Sequence, residues 1–591
     1  MSEQKMISIT VNGQSIEVAD KSNVLEVIQA QGTYMPTLCY LKDLNDVAAC
    51  RMCVAEVNGS RLQTTCTLEA TEGMVVNTET DRVYDSRKQS LELLASYHSF
   101  DCWTCPREKN CDLFDQMRLY NVDDVYKHSF DLAGKDLKLN ESASIVLDSS
   151  KCVHCSSCIA VCDQIAGVGV LEYMERGYDS VISPIFGKGS LDEVNCIGCG
   201  LCAKVCPTAA IVEKDHIQDV QEALRDPNRF VVAQVDPAVR AAIGEDFGYD
   251  IGTNVDEVES QILSAIKALG FDDVITTSIA EDIAVFEGAA ELMDTLENAP
   301  ERFPLFSSCS AGWIRYAEQN HPEMLDHIST AKAPHMLQGT LLKSFLAHDA
   351  YKINATKLYV VTISPCTAHK SESDRDDMVN DGLRNVDAVL TTREIARMIR
   401  KARIDVDSMP AFEWNSPVDR LDQSHGFRSL DGGLMERILR VANRAAGQST
   451  IEFNYTPIVD YPELLESTVT IGNHTLRLAK AHGGKNMQDM MDYLRVQQDQ
   501  GVTYHYVELM GCPGGCLNGG GQPILREEYR SGLDVVSLRQ ESILQSKRYD
   551  PNPLPTTDQE NAYQQLVDQT RSMKAKRYFH TTYQDKSFIN K

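Results

Sequence analysis

Positive charge is scarce in this sequence. Lys and Arg number 57 against 85 Asp and Glu, a formal net charge of −28. Binding nucleic acid requires basic surface that displaces condensed counterions, so the balance argues against it. Long apolar runs are missing too, and no stretch approaches the roughly 18 residues that cross a bilayer. The first residues, M-S-E-Q-K-M-I-S-I-T, hold neither an apolar h-region nor twin arginines, which sets the expectation of a cytoplasmic protein. No G-x-G-x-x-G follows a strand, so any nucleotide would have to bind a partner. Cysteine itself becomes rare after residue 207, with only four of the 19.

What remains is cysteine-dense at the front and large at the back. A length of 591 residues with 43% apolar content allows about three to five domains. Nineteen cysteines in a chain without a secretory signal point to metal rather than disulfides. A basic tail over 571–591 reads as a solvated terminus or a dock for an acidic redox partner.

The cysteines fall into runs. Residues 6–11 and 14–18 make a hairpin around Asn12-Gly13, and Val24, Val27 and Ile28 follow at helical spacing. Then come Cys39, Cys50, Cys53 and Cys66, spaced C-x10-C-x2-C-x12-C. Strand, turn, strand, helix and four such cysteines resemble the β-grasp 2Fe–2S ferredoxins, in the spacing seen at the front of multi-cluster hydrogenases and respiratory complex I. Four thiolates also suit tetrahedral zinc. Next stand His98, Cys102, Cys105 and Cys111, H-x3-C-x2-C-x5-C, with no fourth cysteine nearby. Imidazole is therefore expected as the fourth ligand of a 4Fe–4S cluster, at a raised potential. Residues 152–162 and 196–207 repeat C-x2-C-x2-C-x3-C, the two-cluster ferredoxin signature in which each fourth cysteine serves the other cluster. One cluster takes Cys152, Cys155, Cys158 and Cys206. The other takes Cys196, Cys199, Cys202 and Cys162.

Beyond Asp215 the texture becomes α/β. Phe230–Val235 reads as a buried strand, Val255, Val258, Ile262, Ile266 and Leu269 as a helix ending at Gly270, and 358–363 as a strand leading into Ser364-Pro365-Cys366. Sites in such domains form where loops leave the carboxyl ends of strands. The last four cysteines sit in such loops: Cys309, Cys366, Cys512 and Cys516. The sequences there are F-S-S-C-S-A-G-W (306–313), S-P-C-T-A-H-K-S-E (364–372) and E-L-M-G-C-P-G-G-C-L-N-G-G-G (508–521).

These three loops resemble the signatures of the iron-only FeFe-hydrogenases, T-S-C-C-P-x-W, M-P-C-x-x-K-x-x-E and E-x-M-x-C-x-G-G-C-x-x-G-G-G. The resemblance covers nearly the whole chain. It implies an α/β multidomain protein in four segments: a β-grasp 2Fe–2S domain at 1–80, a His/Cys-ligated 4Fe–4S segment at 81–140, a two-cluster ferredoxin domain at 141–215 and an H-cluster domain at 216–591. It further implies an H-cluster, a 4Fe–4S cubane joined through Cys516 to a di-iron unit bearing CO, cyanide and a dithiolate. Cys512 and Cys366 would be further cubane ligands, with Met510 and Pro237 beside the cofactor. Glu372, Ser329 and Glu291 match polar positions beside the site and along the family's proton path.

Departures from the family pattern cluster at the same place. The family's first loop has adjacent cysteines, a proton relay and then a ligand. By position Cys309 falls on the relay and Ser310 on the ligand. A cubane wants four thiolates, and the cysteine count favours Cys309 as the fourth ligand, which leaves the relay thiol missing. His369 stands for a lysine that pairs with cyanide, Ala238 for a serine that donates to the other cyanide, and Gly288 for a proton-path glutamate. A lysine is always charged there, whereas His369 is charged only when protonated. The resemblance implies H2 oxidation or proton reduction, slowed by these changes. Its partners would be maturation proteins and either ferredoxin or a flavin-containing NAD(P)H-linked subunit. The altered surroundings also suit a non-catalytic or sensory electron-transfer protein.

Overall fold

Asn12 and Gly13 take φ values of 49° and 83°, the left-handed pair that a two-residue hairpin turn demands. They join Met6–Val11 to Gln14–Ala19 with Val11 opposite Gln14. Strands Val75–Asn77, Val54–Val57 and Arg61–Thr64 extend this hairpin into a five-stranded sheet. Helix Val24–Ala30, capped by the Asn23 side chain, packs Val24, Leu25 and Ile28 onto Ile7, Ile9 and Val76. Each such buried aliphatic side chain contributes about 1.5–3 kcal/mol. The computed structural model describes residues 5–108, 110–122, 139–418, 427, 430, 433–525, 533–550 and 554–590.

Helix Asp81–Tyr97 ends on His98 as its C-cap, and Cys111 is the N-cap of helix Asp112–Leu119. The doubled cysteine runs each enter a short helix, Ser157–Ala160 and Leu201–Val205. These pack together against a three-stranded sheet.

The back of the chain is built on two sheets. A parallel sheet orders Asp273–Thr276, Phe230–Val235, Leu358–Ser364 and Ala388–Thr391. A mixed sheet orders Leu305–Phe306, Tyr506–Met510, His474–His482, Tyr461–Ile471 and Thr456–Ile458. Val232, Ile275 and Val360 of the first share one core with Leu476, Leu478 and Tyr506 of the second, together with helices Ser278–Asn298 and Pro334–Leu341. The outer face of the parallel sheet is covered by helices Val255–Ala268 and Thr392–Lys401. Phe230–Val235 runs parallel to Leu358–Ser364, and Leu305–Phe306 runs parallel to Tyr506–Met510. The loops following these four strands are the ones that carry residues 236–238, 366, 309, and 512 with 516. Among the described residues no helix is long and apolar enough to cross a membrane.

Metal centres and candidate active site

In the first domain the Sγ atoms of Cys39 and Cys50 lie 3.4 Å apart, and Cys53 hydrogen-bonds Cys66. All four thiols are buried. Within each pair one thiol donates to the other, so Cys39 is pulled down to about 7 and Cys53 to about 6 while their donors Cys50 and Cys66 are pushed up.

The His98 ring has its Nδ1 3.1 Å from the Lys151 carbonyl oxygen. Burial pushes its pKa down to about 4, so the ring is neutral at physiological pH. A proton on Nδ1 donated to that carbonyl leaves the Nε2 lone pair for iron, the usual arrangement behind a ligating histidine. Burial pushes Cys111 up to about 12 and also raises Cys105, and each of these thiols feels its neighbour in the run. His98→Cys exchanges a neutral ligand for an anionic one. The potential of this cluster is expected to fall by on the order of 100 mV, read by EPR-monitored redox titration. An unchanged potential would remove His98 from the ligand set.

A cavity is lined by Cys152, Cys155, Cys158 and Cys206, with Leu147 and Ile182 on its apolar side. Cys202 in turn has Cys162 and Cys196 among its charged neighbours. The fourth cysteine of each run thus faces the trio of the other. Both front modules touch this domain near its first run. Asn45 Nδ2 donates to the carbonyls of Cys39 (2.5 Å) and Cys155 (3.0 Å), and His98 meets Lys151 beside Cys152. At the other end, the second run lies against the glycine-rich loop. Thr367 Oγ1 donates to the Gly198 carbonyl at 2.6 Å, Lys204 bonds Asn518, and a Cβ built on Gly520 would overlap the Cys199 carbonyl.

That loop forms the floor of the candidate active site. Gly514 and Gly515 adopt φ of 74° and 65°, which turns the chain tightly between Cys512 and Cys516. Burial raises the thiols of Cys366, Cys512 and Cys516, and Cys516 is further raised by Asp236, Cys309, Cys366 and Cys512. So many acidic groups in one dry pocket ionise together only beside cations, as in an iron–sulfur cluster. Ser310 caps helix Ala311–Asn320. Its Oγ accepts from Trp313 N at 3.4 Å and from Gly511 N at 3.3 Å, beside Cys512. Cys309 lines a cavity with Cys516, Pro237, Ala238, Asp236, His335 and His369. Met510 is buried at the end of its strand and does not line that cavity.

Four family models match in chain order. They are a 2Fe-2S iron-sulfur cluster binding domain (residues 4–81), an NADH-ubiquinone oxidoreductase-G iron-sulfur binding region (87–125), a 4Fe-4S dicluster domain (151–210) and an iron only hydrogenase large subunit, C-terminal domain (229–520). The NADP-reducing hydrogenase subunit HndD of Solidesulfovibrio fructosivorans is 35% identical over 532 residues, covering 88% of this chain and 89% of that protein. This chain belongs to the iron-only hydrogenase family. Cytosolic iron-sulfur assembly component 3 of Mus musculus is 30% identical over 415 residues, covering 67% of this chain and 84% of that one. A solved variant of the [FeFe]-hydrogenase HydA1 from Chlamydomonas reinhardtii superposes with a TM-score of 0.55 at 26% identity. That match covers 63% of this chain and 99% of the other.

Within this hydrogenase fold the altered residues have definite surroundings. His369 Nδ1 is 2.8 Å from Ser364 Oγ, and its ring stacks on His335 with centroids 3.8 Å apart. Burial pushes His369 down to about 3, so its ring is neutral. Ala238 donates its amide to Asp236 Oδ1 at 2.8 Å. Asp236 is itself pushed up to about 7 by burial. Ser329 Oγ donates to Glu291 Oε2 at 2.6 Å, and Glu291 continues to Arg302 at 3.0 Å. Ser329, Glu291 and Arg302 thus form one hydrogen-bonded chain. The space beside Gly288 belongs to Ile438, whose Cδ1 lies 2.7 Å from where a Cβ would stand.

Sequence reasoning missed His335. It opens helix Pro334–Leu341 with a proline at the first turn, a signal for the helix but not for a site. Its ring nitrogens and Glu372 Oε2 are buried without hydrogen bonds. His335, His369 and Glu372 present ligand atoms all within 4.8 Å of one another.

Proposed function

We propose that this chain interconverts H2 with protons and electrons at an H-cluster, in the cytoplasm. One observation carries the proposal. The cavity bounded by Cys309, Cys516, Pro237 and His369 lies beside the loops of Cys366 and Cys512, and these loops pack directly on the second ferredoxin run. The residues present fit such a group: three half-buried thiols with Ser310 around the cubane position, and a lined cavity beyond Cys516. When bound, the group supplies the redox chemistry of hydrogen. The chain holds it, excludes water and moves protons.

In this reading segments 1–80, 81–140 and 141–215 carry a 2Fe–2S cluster, a His98-ligated 4Fe–4S cluster and two further 4Fe–4S clusters. Electrons pass along them to or from ferredoxin. A flavin-containing NAD(P)-linked subunit is the alternative donor or acceptor, supported by the name of the HndD relative, and co-purification tests it. Ser310 Oγ accepts from Gly511 N beside Cys512, and Cys309 lines the cavity that also holds Pro237 and His369. The geometry therefore supports assignment by motif position rather than by cysteine count, with Ser310 at the cubane and Cys309 as the thiol beside the di-iron unit.

Protein matured with the di-iron cofactor is expected to show CO and cyanide infrared bands, to reduce dyes with H2, and to hold about 20 iron atoms per chain against about 18 without the di-iron unit. Cys309→Ala is expected to keep the cubane and its EPR signal while lowering turnover about 100-fold. Loss of the cubane in that variant would return Cys309 to the ligand set. A second reading, a non-catalytic electron-transfer or sensory protein, is favoured by Ile438 in the proton path and by the mouse relative named for iron-sulfur assembly. Absence of both the infrared bands and dye reduction would select it.

A further inference from the structure

Two cavities lie on either side of the contact between His335 and Glu372. The inner one is the active-site cavity, lined by His335 and His369. The outer one, about 160 Å3, is lined by Glu372 together with Ser371, Glu318, Arg375, Lys586 and Asp192, and has room for several waters. Asp192 and Lys586 at its rim are 40% and 31% exposed in their side chains, so it communicates with solvent. Glu372 Oε2 lies 3.4 Å from His335 Nε2 and 3.9 Å from His369 Nε2. A small side-chain rotation brings Glu372 and His335 within proton-transfer reach.

Resting on the hydrogenase reading above, we propose that Glu372 is the proton relay between the active-site cavity and the outer water cavity. It replaces the route that Gly288 and Ile438 interrupt. The inner half of the usual path is filled by an aliphatic side chain, whereas Glu372 lines the outer cavity and faces His335 of the inner one, an imidazole whose ring nitrogens make no hydrogen bond. The charged groups around the carboxyl are consistent with this role. Burial pushes it up to about 8 against the pull of Arg375, with Asp377 and Glu318 adding to the rise. His335 is pushed far down by burial and by His369. At neutral pH the resting trio is one protonated carboxyl and two neutral imidazoles.

The proton balance is simple. Formation of one H2 consumes two protons and two electrons, the electrons arriving through the clusters. For each proton, Glu372 transfers its own to His335 Nε2, His335 releases a proton from Nδ1 into the active-site cavity and returns to neutral, and the carboxylate is re-protonated by a hydronium ion from the outer cavity. In H2 oxidation each step reverses, and Glu372 ends every cycle protonated.

Glu372→Gln keeps the shape and cannot shuttle a proton. In the matured protein it is expected to lower H2 turnover about 100-fold and to abolish the fall in activity as pH rises through about 8. Glu372→Asp, which retains a titrating group, should recover part of both. Ser329→Ala and Glu291→Gln should cost less than Glu372→Gln. In protein carrying only its iron–sulfur clusters, infrared spectra at pH 7 should contain the C=O stretch of a buried protonated carboxyl that shifts in D2O and is missing from Glu372→Gln. Three results would overturn the relay: larger losses at Ser329 and Glu291 than at Glu372, no carboxyl band at pH 7, or a stoichiometric non-iron metal that Glu372→Gln releases. CO and cyanide bands without H2 turnover in the wild type would sink the relay alone. Absence of those bands would sink the hydrogenase reading instead.

Discussion

Gly520→Ala is expected to cut electron delivery to the active site and to cost about 3 kcal/mol or more of stability. The added methyl would overlap the Cys199 carbonyl oxygen and crowd Gly200 Cα at 2.8 Å. Both are backbone atoms, one of them on a cluster ligand, and neither can rotate away. Relief requires the glycine-rich loop to separate from the ferredoxin domain where the second run faces the cubane. Denaturant midpoints measure the stability term, and H2-driven reduction of the front clusters, followed by EPR, measures the electrical one. Gly447→Asn is the control. Its site has a φ of 80° and open space around it, so the change should stay within about 1 kcal/mol. Wild-type reduction rates in Gly520→Ala would show that electrons do not cross this contact.

Arg393→Met is expected to destabilise the protein by about 3–5 kcal/mol. Nη1 donates to the carbonyls of Gly520 (2.6 Å) and Gln522 (2.7 Å), while Nη2 donates to Glu213 at 2.6 Å. One buried guanidinium thus fastens the active-site loop to the last strand of the ferredoxin domain. Burial alone would raise the Glu213 carboxyl, but Arg393 and Arg397 hold it well below its usual range. A carboxyl with a depressed pKa stabilises above its unfolded value and loses that contribution as pH falls through the folded one. In the variant only Arg397 remains, at 3.3 Å, so acid unfolding should begin at higher pH. Circular dichroism across an acid titration, with cluster absorbance alongside, checks both statements. A variant as acid-stable as the wild type would mean that Glu213 needs only one partner.

The parts legible in the sequence are those whose chemistry is local. Ligand spacing within Cys152–Cys162 and Cys512–Cys516 is set by a few residues of chain, and the hairpin at Asn12-Gly13 by two. The strands Phe230–Val235 and Leu358–Ser364 read clearly because a sheet buried on both faces is continuously apolar. Hidden from the sequence were the juxtapositions made by packing. Ile438 fills the space at Gly288 only because helix Met435–Ala445 lies against helix Ser278–Asn298. His335 meets His369 only because two helices from different loops converge. The roles of Cys309 and Ser310 turn on which way each of two adjacent side chains points, and a cysteine count carries no direction.

The arrangement of the front modules has a consequence for mutation. The 2Fe–2S domain and the His98 segment share one core, in which Leu38 and Cys39 pack with Leu91 and Leu113 and with Val153 and Cys155 of the ferredoxin domain. Gln116 Nε2 donates to the Thr37 carbonyl across it at 2.8 Å. Three modules are therefore seated on one junction, and a substitution at Val153 would be felt by all of them at once.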